Sequence, residues 1–89
     1  VNIEKIKEAI KLFGGVHNFE YFSKKGSEVN NYIREIFHTD VIIMKNYVII
    51  KFVGNGFLRS QIRMMVSFLL HISDGELSIE ELKKQLNRE

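Results

Sequence analysis

Two arginines set one helical turn apart are the side chains of this sequence with the clearest chemical potential. Arg59 and Arg63 follow Gly54-Asn55-Gly56, where a run of β-branched and aromatic residues ends and a helical pattern begins. Projected at about 100° per residue, positions 57–73 place apolar side chains over more than half of a helix, with Arg63 at the margin of that apolar face. A guanidinium stays protonated, so even partial burial requires an anion or several carbonyl acceptors. The pattern therefore predicts that Arg63 meets an anionic partner.

Other kinds of active site find less support in the sequence. Gly54-Asn55-Gly56 is not followed by the Gly-Lys-Ser/Thr of a Walker phosphate loop. The simpler interpretation is a tight turn from strand to helix. The alternative is that the free amides at the helix N-terminus bind an anion. The chain has no cysteine and three scattered histidines, which favours neither a metal site nor a Cys-His or Ser-His-Asp arrangement. His17 is expected to be a hydrogen-bonded structural histidine, and Phe19 a core residue.

Composition sets broad limits on the class of protein. With 89 residues, of which 45% are hydrophobic, the chain is predicted to form a single domain over residues 1–89 with a small core. Its formal net charge of +2 and pI of about 9.0 are compatible with an anionic partner. The lack of cysteine fits a reducing cytoplasm, and no apolar run reaches the ~18 residues of a membrane span. A first residue other than methionine and an end within a charged helical pattern suggest a piece of a longer protein.

The elements that must position the arginines follow from local patterns. They are a helix from Asn2 to Gly14, a short helix at 17–22 capped by Asn18, a β-hairpin at 32–53 turning at Lys45-Asn46, a central helix at 57–73, and a last helix opened by a Ser78–Glu81 capping box. This order, α, short α, β, β, α, α, predicts an α+β fold with helices covering one face of an antiparallel sheet. We expect Phe52 and Phe57 to be buried in its core.

A polar stretch from Ser23 to Asn31 is predicted to be a mobile surface loop. It contains Lys24 and Lys25. Two adjacent lysines are usually no more than a solvated pair, but each can contribute a phosphate contact if other basic residues share their face.

Three segments resemble the carboxy-terminal domain of the TruA-type tRNA pseudouridine synthases. They are Gly15-Val16-His17-Asn18-Phe19-Glu20-Tyr21-Phe22, Ile33-Arg34-Glu35-Ile36, and Gly54-Asn55-Gly56-Phe57-Leu58 with its continuation to Arg63. In the family these segments usually read Gly-x-His-Asp-Phe-x-x-Phe, Val-Arg-x-Ile, and Gly-Asn-Gly-Phe-Leu followed by a Met-Val-Arg ending. Order and spacing agree over nearly the whole chain, and the third segment is the most specific.

The resemblance implies half of a pseudouridine synthase catalytic fold, belonging to an enzyme that converts uridine to pseudouridine in the tRNA anticodon stem-loop without metal or organic cofactor. The family's catalytic aspartate belongs to an Arg-Thr-Asp-type motif that does not occur in these residues. The arginine of the Met-Val-Arg ending, here Arg63, pairs with that aspartate in the family. The resemblance thus implies an inactive fragment whose partners are tRNA, the remainder of the same polypeptide and a second copy in a cytoplasmic homodimer. Arg59, Lys24 and Lys25 are the RNA-binding candidates.

This sequence departs from the family pattern at several positions. Asn18 stands where aspartate is usual, Ser60-Gln61-Ile62 replaces the commoner His-Met-Val, and Ser67 replaces glycine. Ser67 is expected to preserve close helix packing, whereas Ser60 and Gln61 put in doubt any RNA contact made there. The alternative to an enzyme is a non-catalytic RNA-binding or dimerisation module with the same fold, and the presence of an Arg-Thr-Asp motif upstream in the parent polypeptide separates the two.

Overall fold

A computed structural model of the chain describes residues 2–24 and 31–88. The helices are α1 (Ile3–Ile10), α2 (Gln61–Ser73) and α3 (Ile79–Leu86), and the strands are β1 (Gly15–Asn18), β2 (Ile33–Ile43) and β3 (Val48–Gly54). Short 3-10 turns occupy Lys11–Phe13 and Glu20–Phe22. The α+β prediction is confirmed, and none of the described helices has the length and apolar character needed to cross a membrane.

The sheet is antiparallel in the order β1-β2-β3, and the predicted hairpin forms its larger part. Its turn closes at Lys45-Asn46, where the Met44 amide donates to the Tyr47 carbonyl oxygen at 2.8 Å. A register shift between Ile36 and His38 leaves Phe37 without a partner on β3. This bulge explains why the alternation of β2 is irregular, because one extra residue reverses the side-chain faces beyond it.

The first segment of the family motif forms strand β1 at residues 15–18 and a 3-10 helix at Glu20–Phe22, where the sequence predicted a short helix over residues 17–22. β1 pairs with the start of β2, and His17 lies opposite Arg34. Asn18 does not cap a helix: its side-chain oxygen accepts from the Glu20 amide at 3.0 Å, two residues further on, as in an Asx turn. The prediction of a short helix is confirmed for Glu20–Phe22 and wrong for residues 17 and 18, because the strand depends on pairing with a distant segment, which helical spacing within the stretch cannot reveal.

One hydrophobic core lies between the helices and one face of the sheet. Its fully buried members include Phe13, Phe19 and Phe22 from the two 3-10 turns and their flanks, Ile36 from β2, and Met65, Leu69 and Ile72 from α2. The rings of Phe13 and Phe22 meet edge-on with centroids 5.3 Å apart, and Phe13 meets Phe52 of β3 at 5.9 Å. Phe52 is half-buried against this core. The core therefore packs α2 against α1 and the 3-10 turn at Glu20–Phe22, and Phe13 joins this layer to Phe52 of β3.

The helix caps predicted from sequence are present. The Asn2 side chain accepts from the Lys5 amide at 3.1 Å at the start of α1, and the Ser78 hydroxyl accepts from the Glu81 amide at 3.1 Å at the start of α3. Such caps satisfy amides that have no partner within the helix. They fix the first turns of the two helices that flank α2.

Candidate active-site and RNA-binding residues

The turn Gly54-Asn55-Gly56 is anchored on β2 through a pair of hydrogen bonds. The Asn55 amide donates to the Glu35 carbonyl oxygen at 3.0 Å, and the Asn55 side-chain oxygen accepts from the Glu35 amide at 3.0 Å. Gly54 comes so close to this strand that a Cβ there would lie 2.7 Å from the Glu35 oxygen. Gly56 has a positive φ of 151°, a conformation that favours glycine. The motif thus fastens the end of β3 to β2 and redirects the chain toward α2.

A second set of hydrogen bonds, between Leu58 and Gln61, locks the start of α2 in place. Gln61 has no exposed surface, and its side-chain oxygen accepts from the Leu58 amide at 2.8 Å. Its side-chain nitrogen contacts the Met65 sulfur at 3.5 Å, while its own amide donates to the Leu58 carbonyl oxygen at 3.0 Å. The departure at Gln61 is therefore structural. The sequence did carry a signal for it, since glutamine is a rare polar residue within an otherwise apolar helical face.

The central helix begins later than its periodicity predicted. α2 starts at Gln61, after Ser60 in a left-handed conformation with φ 61°. Phe57 consequently precedes the helix in a segment without regular secondary structure and is 41% exposed, so the prediction that it is buried was wrong. Two glycines and a locked turn give residues 57–60 a non-helical path, although their residue types fit the apolar pattern of the helix.

Arg63 points away from the core and does not lie at its margin as predicted. The buried face of α2 is formed by Met65, Phe68, Leu69 and Ile72, and at ~100° per residue Arg63 lies nearly opposite their centre. The sequence could not show this because the apolar residues of α2 cover a wider arc than this chain buries. Ser67, expected to serve close helix packing, is likewise exposed.

An open groove of about 320 Å³ runs beside Arg63. Ser67, His71 and Gln85 line it together with the apolar side chains of Met64, Phe68 and Leu77. Within residues 2–24 and 31–88, the salt bridges are His71–Glu76, Lys83–Glu80 and Arg88–Glu20, and none of them involves Arg63. The guanidinium is thus available to an anion from outside the described part of the chain.

Two of the RNA-binding candidates lie side by side. The Lys24 amide donates to the Arg59 carbonyl oxygen at 2.9 Å, which ties the described end of the polar loop to the segment before α2. Both side chains are exposed. Lys25 lies outside the described ranges. The predicted mobility of the loop from Ser23 to Asn31 concerns mainly residues 25–30, which also lie outside them.

His17 and Phe19 support the turn at the end of α1. The His17 ring nitrogen Nε2 lies 2.8 Å from the Gly14 carbonyl oxygen, and its ring meets Phe19 edge-on at 5.6 Å. Phe19 is fully buried. Across the described residues no three His, Cys, Asp or Glu side chains are grouped as metal ligands would be.

Comparison with known proteins identifies the relatives of this chain. A family model described as tRNA pseudouridine synthase matches residues 9–89. The tRNA pseudouridine synthase A of Wolinella succinogenes is 44% identical over 82 residues, which cover 92% of this chain and 32% of that protein. The proteins of the same name from Helicobacter hepaticus and Streptococcus agalactiae are 43% and 44% identical, covering 98% and 93% of this chain and 38% and 33% of their own lengths. The chain therefore spans about a third of these relatives, and it belongs to the tRNA pseudouridine synthase family.

Proposed function

We propose that this chain is the carboxy-terminal half of the catalytic domain of a TruA-type enzyme that isomerises uridine to pseudouridine in the tRNA anticodon stem-loop. The observation that carries the proposal is Arg63, an exposed guanidinium on a helix whose start is fixed by the hydrogen bonds between Leu58 and Gln61. Its rigid support suits a residue that must hold another group in a fixed place.

In this proposal Arg63 pairs with the catalytic aspartate, which lies in another part of the parent polypeptide. A guanidinium beside a carboxylate favours its ionised form, and the planar fork can hold both carboxylate oxygens at once. The aspartate is thereby kept charged and aimed at the bond between sugar and base. That bond breaks and the base is rejoined to the sugar through carbon, so the reaction is an isomerisation. The family resemblance implies that it requires neither metal nor organic cofactor.

Arg59, Lys24 and Lys25 serve as phosphate contacts in the same proposal. The hydrogen bond between the backbones of Lys24 and Arg59 supports a shared basic site, since it holds two exposed cations on neighbouring segments. Phosphate contacts of this kind strengthen binding independently of sequence and weaken as salt rises. The parent enzyme is proposed to act in the cytoplasm as a homodimer on tRNA.

The roles of the two arginines are separable in the full-length parent protein. Arg63→Lys keeps the charge but loses the bidentate fork, so we expect a slower single-turnover rate with little change in tRNA affinity. Arg59→Ala should instead weaken tRNA binding and reduce its salt dependence. Single-turnover rates and tRNA dissociation constants at two salt concentrations test both. A wild-type rate for Arg63→Lys would show that Arg63 does not orient the catalytic carboxylate.

The isolated chain is expected to be inactive, because the nucleophilic carboxylate is outside it. Incubation of the 89-residue chain with unmodified tRNA, followed by detection of pseudouridine, tests this. The full-length parent, assayed in parallel, is the positive control. Turnover by the chain above a buffer blank would mean that one of its own carboxylates performs the reaction.

A further inference from the structure

The outer edge of β2 is open beyond the short strand that pairs with its start. β1 covers Ile33–Ile36 of β2, and within residues 2–24 and 31–88 no strand pairs with residues 37–43 on that side. An open groove of about 300 Å³ lies along this edge, with Lys7 and Ile10 of α1 on one side and Thr39 and Val41 of β2 on the other. An accessible strand edge offers unpaired backbone groups to any other strand.

The hydrogen bonds of the hairpin determine which amides of β2 face the open edge. The Met44 amide donates to the Tyr47 carbonyl oxygen, so residues 44 and 47 form a hydrogen-bonded pair. In an antiparallel ladder such pairs alternate with pairs that are not bonded to each other. The register runs without a shift from His38 to Ile43. The amides of residues 39, 41 and 43 therefore point away from β3 and toward the open edge.

The central one of these three amides is occupied by a side chain of its own strand. Asp40 Oδ1 accepts from the Val41 amide at 2.8 Å. Lys51 lies directly opposite Asp40 on β3, yet the salt bridges among the described residues do not include this pair. The Asp40 carboxylate is thus bound to the edge amide and not to the cation across the hairpin. A strand that paired with this edge would have to displace it.

The sequence of this edge is suited to self-pairing apart from one residue. Residues 37–43 contain neither proline nor glycine, and Asp40 is the one member of the segment among Lys, Arg, Asp and Glu. Short segments of high β propensity and low charge readily pair with copies of themselves. Phe37 is 59% exposed and Ile43 is 55% exposed, so such pairing would also bury apolar surface. Asp40 is therefore the main obstacle to it within the segment.

We infer that Asp40 keeps the open edge of β2 from pairing with the same edge of a second copy. An antiparallel pairing centred on Val41 would place the two Asp40 side chains on one face, roughly 7–8 Å apart. Like charges would then lie near each other, and each carboxylate would lose the Val41 amide that it binds. This role is independent of the proposed pairing of Arg63 with the catalytic aspartate.

Analytical ultracentrifugation of the full-length parent over a range of protein concentrations tests the inference. Asp40→Val removes both the charge and the acceptor, whereas Asp40→Asn removes the charge and keeps an oxygen for the Val41 amide. Glu8→Val on α1 is the matched control, because it makes the same change of charge at an exposed site away from the sheet. We expect Asp40→Val to assemble beyond the state of the unsubstituted parent at a concentration about tenfold lower than Glu8→Val does. Asp40→Asn carries the same test if circular dichroism shows that Asp40→Val is not folded.

A second substitution shows whether this assembly uses the β2 edge. Proline has no amide proton and is tolerated on an edge strand where that amide faces outward. Thr39→Pro in the Asp40→Val variant should therefore restore the assembly state of the unsubstituted parent, and Ile43→Pro takes its place if the first variant does not fold. Equal assembly of Asp40→Val and Glu8→Val would overturn the inference. Assembly that persists in the folded proline variant would also overturn it, because the contact would then use a surface other than this edge.

Discussion

Replacing Gln61 by methionine isolates the contribution of the lock at the start of α2. The side chain is fully buried, and its oxygen is 2.8 Å from the Leu58 amide nitrogen. Methionine fills a similar volume, so packing is largely kept while the acceptor is lost. A buried amide left without a partner costs about 1–3 kcal/mol. We therefore expect Gln61→Met to lower the free energy of unfolding by that amount, which corresponds to a fall in Tm of about 4–8 °C per kcal/mol in a domain of this size.

Urea denaturation of the 89-residue chain, followed by circular dichroism, measures the effect. Gln85→Met is a matched control, because the Gln85 side chain donates to the Tyr21 carbonyl oxygen at 2.9 Å in an exposed contact. Water can replace that bond, so the control should change the free energy of unfolding by no more than about 0.5 kcal/mol. A loss at position 61 as small as that of the control would refute the argument, since the Leu58 amide would then have another partner in the variant.

Three further substitutions test the packing of the segment before α2 and of the strand end that leads into it. Phe57→Ala should cost less than about 2 kcal/mol in this chain, because the ring is 41% exposed, whereas Phe13→Ala at a fully buried site should cost about 3–5 kcal/mol. Comparable losses in urea denaturation would show that Phe57 is a core residue after all. Gly54→Ala should cost about 1–3 kcal/mol, because its Cβ would lie 2.7 Å from the Glu35 carbonyl oxygen and strand backbone must shift; an unchanged midpoint would mean that the bulge relaxes freely.

Local signals in the sequence predicted those features whose partners are a few residues away. The caps of α1 and α3 and the turn at Lys45-Asn46 each depend on hydrogen bonds that span three or four residues. The alternation of β3 predicts Val48, Ile50 and Phe52 on the core face, and it is correct for Ile50 and Phe52, which pack on the core, but not for Val48, which is 39% exposed at the hairpin end. Alternation works there because β3 has no bulge of its own.

Features whose partners are distant in sequence escaped prediction. β1 forms because residues 15–18 pair with the backbone of residues 33–36. Nothing within the sequence of β1 specifies that pairing. The orientation of Arg63 escaped for a related reason. Periodicity identifies the apolar arc of a helix, but the part of the arc that faces the core depends on which surfaces the rest of the chain supplies.

The departures from the family pattern around Arg63 have unequal consequences for RNA binding. Gln61 uses its side-chain oxygen on Leu58 and its nitrogen on Met65 inside the protein, so it has neither the exposure nor a free group for contacting a nucleotide. Arg59, two residues earlier, is exposed and held next to Lys24 by a backbone hydrogen bond of 2.9 Å. We therefore propose that an RNA contact at this turn comes from Arg59 and Lys24 and not from Gln61, which fixes the start of the helix that carries Arg63.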